Sequence, residues 1–248
     1  MMAGITKKTN LMFLESIDED EKSCNDCIVK LNEVLKQREY AKEFGTNNVI
    51  DIATEIFTLF AESNKRCNNY IEHSLRMISI FNDMVKDISD INTEKDMNIM
   101  KYSILLHDIM KPINEMFHAT LAASCTDVIL KNTTDLSDDD IKQISLVVLM
   151  HSSKKYVDSL SINKYTRLLM DLDLLDKVGV VTLLRCTTKM KKKNCEYIPE
   201  TVACVKDKFE TLKQNRKYLK YDVCKDEYNR RISVLSELIN NMEAEYLS

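Results

Sequence analysis

The sequence predicts an all-α protein, and three observations carry that prediction. Of 248 residues only three are glycine and two proline, whereas sheet-rich folds spend those residues on turns and bulges. Apolar residues recur at intervals of three and four along nearly the whole chain, the spacing of one helical face. Helix-start signals recur too, with Thr93 followed by Asp96 and Ser137 by Asp140, each an N-cap with an acidic residue three positions on.

The elements follow in order. "CIVKLNEVLKQ" and "VIDIATEIFTLFAE" read as amphipathic helices within residues 1–66, which are expected to pack on the core. "NNYIEHSLRMISIFNDMVKDI" places Ile71, Leu75, Ile78 and Phe81 on one stripe, with His73 beside it. "NTEKDMNIMKYSILLHD" starts at Thr93 and runs to about His107, and Pro112 marks where the chain turns away. "LSDDDIKQISLVVLMH" repeats that design from Ser137 to His151. "NKYTRLLMDLDLLDKVGVVTLLRC" reads as one further helical stretch with Gly179 inside it. Its "VVTLL" has the look of a short strand, but its neighbours favour helix. After "TTKMKKKNCEYIPE", the best candidate for a boundary, residues 191–248 read as two long charged helices, an accessory lid or an oligomer surface on the same domain.

Composition narrows the class. Hydrophobic residues at 44% and charged residues at 30% fit a soluble globular protein. No run of about 18 apolar residues is present, so no transmembrane helix is expected, and the N-terminus does not read as a signal peptide. Eight cysteines, irregularly placed, point to a reduced, cytoplasmic chain rather than a disulfide scaffold. Cys24 and Cys27 have the spacing of half a zinc site, but no second such pair answers them. The net charge of −4 is uneven: from Arg185 to Arg231 there are fourteen Lys/Arg against seven Asp/Glu. That basic segment offers counter-charge to phosphates or simply forms a solvated helix face. With no tryptophan, nucleic-acid stacking would fall to Tyr or Phe, and a nucleic-acid partner is not favoured.

All four histidines, His73, His107, His118 and His151, fall at helix ends or one short turn beyond, in the stretch that also carries "DLDLLD" (Asp171, Asp173, Asp176). A lone histidine at a helix end is usually structural. Four of four, with Asp108 next to His107, is the donor set of borderline-to-hard divalent metals such as Mn, Fe, Co, Ni or Zn. The order H…HD…H…H…D over residues 67–190 resembles the HD-domain superfamily of metal-dependent phosphohydrolases. "IEHSLRM" looks like its first ligand helix, "LLHDIMKP" like the eponymous doublet, "FHATLAASCTDVIL" and "LVVLMHSS" like the helices of two further histidines, and "LLMDLDLLDKVGVVTLLR" like the segment of the last aspartate. Two departures stand out: Met110 where a glycine is usual, and Ala119 where an acidic residue is usual, with Glu115 nearby.

The resemblance implies an HD-domain helical bundle with additional N- and C-terminal helices. It implies metal ligation by His73, His107, Asp108, His118, His151 and Asp173, with Asp171 the less favoured choice for the last position. His107, Asp108 and Lys111 would form the catalytic centre, and Arg76, Lys111, Lys177 and Arg185 would meet substrate. For Arg76 and Lys177, ordinary surface charge is an equal reading, and Lys189–Lys193 reads first as a solvated loop. The extra histidines favour two divalent ions. The implied reaction is hydrolysis of a nucleotide-type phosphomonoester or phosphodiester by a metal-activated water, the partner being a small phosphoester. A di-iron oxygenase on the same fold is the first alternative, and a non-catalytic nucleotide-binding module the second.

Overall fold

The last turn of a helix leaves carbonyls without intrahelical partners and its first turn leaves free N–H groups, and this chain settles both ends with short polar side chains and histidines. The computed structural model describes Ala53 and residues 70–112, 114–152, 162–193 and 197–247. The helices expected in residues 1–66, the Cys24/Cys27 pair, and most of "SSKKYVDSLSIN" lie outside the described residues. Among the described residues there are eight α-helices and no strand, an all-α fold.

The first helix, α1 (Tyr70–Met84), buries Met77, Ile80, Phe81 and Met84 together with His73 and Ser74. The buried face is therefore rotated from the predicted Ile71–Leu75–Ile78–Phe81 stripe, and Leu75 is 41% exposed. Two polar residues extend the inward face, and hydrophobicity alone could not have placed them there. α2 (Glu94–Leu106) begins with the expected capping box: Asp96 N–H donates to Thr93 Oγ1 and Thr93 N–H to Asp96 Oδ2, both 3.1 Å. His107 is its C-cap. α3 (His118–Thr133) and α4 (Asp138–Met150) form a helical hairpin joined by residues 134–137. Asp140 N–H donates to the Ser137 cap at 3.2 Å, and His151 closes α4.

The stretch read as one helix around Gly179 is instead two, α5 (Lys164–Leu175) and α6 (Val180–Lys193). Gly179 has φ 97°, the left-handed region that ends helices and suits glycine. Arg231 Nη1 donates to the Leu175 carbonyl at 3.0 Å, closing the end of α5. "VVTLL" is helical, as its neighbours suggested. α7 (Tyr197–Asn215) and α8 (Asp222–Leu247) are the two long C-terminal helices. Among the described residues, no helix is long and apolar enough to cross a membrane.

Two hydrophobic clusters organise these helices, and α2 lies between them. Met100 and Ile104 of α2 join the first, with Met77 and Phe81 of α1, Leu168 and Leu172 of α5, and Val205, Leu212, Tyr228 and Leu235 of α7 and α8. Ile99, Leu105 and Leu106 join the second, with Leu121 and Ile129 of α3 and Ile144 and Val148 of α4. Each such side chain, fully buried, contributes on the order of 1.5–3 kcal/mol. Asp171 ties α5 to the turn before α8, accepting from the backbone N–H of Lys220 (2.9 Å) and Tyr221 (2.8 Å). Burial outweighs those two donors and pushes its carboxyl up to about 7.

Candidate metal centre

The six residues expected as ligands come from five helices or helix ends and converge on Asp108. His73 sits in the first turns of α1, and His107 and Asp108 follow the last residue of α2. His118 opens α3, His151 closes α4, and Asp173 lies on α5. The four histidines and Asp108 are buried, and Asp173 is partly exposed.

Each imidazole is fixed through Nδ1. His107 donates to the Ile104 carbonyl at 2.8 Å, His118 to that of Glu115 at 2.8 Å, and His151 to that of Val148 at 2.6 Å. All three bonds span three residues, so one local device is used three times. A carbonyl only accepts, so Nδ1 of these rings carries the proton and Nε2 presents a lone pair when the ring is neutral. His73 instead donates Nδ1–H to Asp176 Oδ2 at 2.6 Å. This is the support that ligating histidines ordinarily receive.

All four Nε2 atoms then point inward. The rings of His73, His107, His151 and His118 follow one another edge to face at centroid distances of 5.2, 5.0 and 5.1 Å. Asp108 lies across them with its two oxygens facing opposite pairs. Oδ2 is 4.0 Å from His73 Nε2 and 3.7 Å from His107 Nε2. Oδ1 is 3.3 Å from His118 Nε2 and 3.6 Å from His151 Nε2. Asp173 Oδ1 is 3.2 Å from His73 Nε2. The donor atoms gather into two sets that could hold a cation: His73, His107 and Asp108, and Asp108, His118 and His151.

Three of these atoms, His107 Nε2, Asp108 Oδ1 and Asp173 Oδ1, are buried with no hydrogen-bond partner. His118 and His151 Nε2 face each other at 3.2 Å, two lone pairs that repel unless a proton or a cation lies between them. Unpaired buried polar atoms are costly, so the cluster fits a divalent metal by chemistry as well as by shape.

Electrostatics agree. Burial lowers His107 to about 3 and also lowers His118, keeping both neutral, the ligating form. Burial opposes ionisation of Asp108, but the contact with His151 and the Lys111 ammonium hold it well below its ordinary value. Asp173 is likewise held low by Lys177 and His73 against the effect of burial.

The four expected substrate cations sit on one rim. A cavity of about 430 Å³ opens beside His73 and Asp108 and is lined by Arg76, Lys111, Lys177 and Arg185, with Glu72 the further acidic residue. Each cation also meets a carboxylate of the centre. Lys111 Nζ is 2.6 Å from Asp108 Oδ2, Lys177 contacts Asp173 Oδ2, Arg76 binds Asp176 through Nε (2.7 Å) and Nη2 (2.9 Å), and Arg185 Nη2 is 3.5 Å from Asp176. A guanidinium has five donors and an ammonium three, so these contacts leave donors for a ligand.

Asp176 is the residue that the sequence left without a role. It is 1% exposed and holds His73, Arg76 and Arg185 at once. Its spacing three residues beyond Asp173 was the available signal. Asp171 faces away, toward Lys220 and Tyr221. The two departures from pattern are absorbed locally. Met110 is buried in the second cluster, its sulfur 3.6 Å from Cys125 Sγ, and the turn keeps its Lys111–Asp108 and Asn114–Met110 backbone bonds. Ala119 is buried, and Glu115 serves the centre through its carbonyl.

Residues 70–178 match the family model of the HD domain. A crystal structure of a predicted HD superfamily hydrolase from an uncultured Thermotogales bacterium is similar at 17% identity. The match covers 78% of this chain and 92% of that one, with a TM-score of 0.49. No curated protein matches the chain.

Proposed function

The chain carries an HD domain at residues 70–178, and from that premise we propose a metal-dependent phosphohydrolase that cleaves a nucleotide-type phosphomonoester or phosphodiester. The observation that carries the reading is the cationic rim beside the histidine–aspartate cluster: four Lys/Arg side chains around one cavity against Glu72, Asp108 and the carboxylates they already hold. A site built only to hold a metal or activate oxygen has no need of four cations at its mouth. An anionic substrate does.

The proposed cofactor is two divalent ions. His73, His107, Asp108 and Asp173 would hold one, and Asp108, His118 and His151 the other. Bound there, the ions supply a nucleophilic water at neutral pH and neutralise charge on the phosphoryl oxygens. The chain's own groups do the rest. Lys111 and Lys177 flank the carboxylates and offer N–H donors to phosphate. Arg76 and Arg185, braced by Asp176, close the far side of the rim. Asp176 is a positioning residue that fixes the His73 ring.

Metal analysis of the purified protein, followed by a Mn²⁺-supplemented screen of nucleoside triphosphates, monophosphates, cyclic nucleotides and dinucleotides, tests the reading. Hydrolysis of at least one class is expected, falling on the order of a hundredfold or more in Asp108→Ala, as for loss of a transition-state contact. Equal rates in Asp108→Ala and wild type would overturn the mechanism. Iron absorbance with oxygen uptake and no hydrolysis would point to the oxygenase.

A further inference from the structure

A second pocket, next to the cavity of the metal centre, holds a chemical feature away from the histidines. Cys186 on α6 and Cys204 on α7 face each other with their sulfurs 2.8 Å apart. Cys186 is 3% exposed, while Cys204 is partly exposed and reachable from solvent. Both line a pocket of about 290 Å³ with Lys177, Arg185, Lys189 and Lys208, and Lys177 and Arg185 also line the cavity beside the metal centre. The pair therefore sits where α6 meets α7, one residue from an arginine of the rim.

We propose that Cys186 and Cys204 are a reversible disulfide site, oxidised by a hydroperoxide, that clamps α6 to α7. The two side chains already meet tip to tip at 2.8 Å, so closing the bond needs the sulfurs to approach by only about 0.8 Å. The two thiols differ in accessibility, which sets the order of events. Burial and the Cys204 thiol push Cys186 up to about 12, against the pull of Lys208 and Lys189, so Cys186 is the poorer first nucleophile. Cys204 meets the oxidant, and its thiolate attacks the O–O bond. This gives a sulfenic acid and releases the alkoxide or hydroxide, which takes up the thiol proton. The Cys186 sulfur then attacks the Cys204 sulfur, the S–OH bond breaks, and the hydroxide leaves with the Cys186 proton as water. In sum, two thiols and one hydroperoxide give one disulfide, one alcohol (or water) and one water. A dithiol reductant reverses it by exchange. In a reducing compartment such a bond is transient rather than structural.

The test uses the full chain, treated with stoichiometric hydrogen peroxide, alkylated and digested without reductant. A peptide pair joining Cys186 to Cys204, two hydrogens lighter than its parts and released by dithiothreitol, is expected. The melting temperature should rise by about 5 °C on oxidation of the wild type, since the bond removes loop-closure entropy from the unfolded chain. Neither change should occur in Cys186→Ser or Cys204→Ser, which leave the histidine cluster intact. The proposal is overturned if both cysteines remain alkylatable after peroxide. Accumulation of Cys204 sulfinic acid beside a free Cys186, or a bond confined to Cys24 and Cys27, overturns it as well.

Discussion

His73 holds a proton more tightly than a free histidine. Burial works against its charge, but the carboxylates of Asp173 and Asp176 outweigh burial and raise it above 6.5. At any given pH it therefore keeps its proton to a larger extent than a free imidazole, whereas His107 and His118, both lowered, keep theirs to a smaller one. A metal must displace the His73 proton, so affinity falls as pH drops through that raised value. Titration calorimetry of Mn²⁺ at pH 7 in buffers of different ionisation enthalpy should show net proton release, and a buffer-independent heat would refute it. Asp176→Asn removes the carboxylate that orients the ring and should weaken Mn²⁺ about 10–100-fold by dye competition. Unchanged affinity would mean that Asp176 serves only the arginines. The ligand candidates were legible because the histidines mark themselves at helix ends. Asp176 was not, because its role depends on contact with a residue 103 positions away.

Helix starts were legible for a related reason: a cap is a local bond between residues three apart. Asp96 shows what tertiary contact adds to such a bond. Besides capping α2, its carboxylate accepts from Tyr165 (2.5 Å) and pairs with Lys164 (2.7 Å), joining α2 to α5. Burial favours its neutral form, but Lys164, Tyr165 and Thr93 together hold it well below its ordinary 3.8. A lowered folded value stabilises above the unfolded one, so this contribution is present above about pH 4 and is lost as pH falls through the folded value. Asp96→Ala should cost about 2–3 kcal/mol at pH 7 in urea denaturation, and the gap from wild type should narrow below pH 4. A gap that stayed constant would show that packing, not the charge, carries the effect. The rotated face of α1 and the break at Gly179 were not legible. The first depends on His73, drawn inward by the centre, and on Ser74 buried beside it. The second depends on a backbone angle that a glycine permits but does not announce.

On the scale of the whole molecule, α7 and α8 share the first core with α1 and α5 rather than forming one of their own. Tyr228 is fully buried there and donates its hydroxyl to the Leu212 carbonyl at 2.8 Å. Tyr228→Ala should cost about 3–5 kcal/mol, with a single thermal transition retained. Two separated transitions by calorimetry would mean that the C-terminal helices fold independently. The site itself straddles the two cores, because His73 and Asp173 ride on helices of the first while His118 and His151 ride on the α3–α4 hairpin of the second. A fluctuation that lifts the hairpin carries two imidazoles away together and leaves His73, His107, Asp108 and Asp173 in place. Ions held at the two halves would thus leave separately on such a motion, the His118–His151 side emptying while the α1–α5 side keeps its ligands. The fold would then set the order in which the centre is filled.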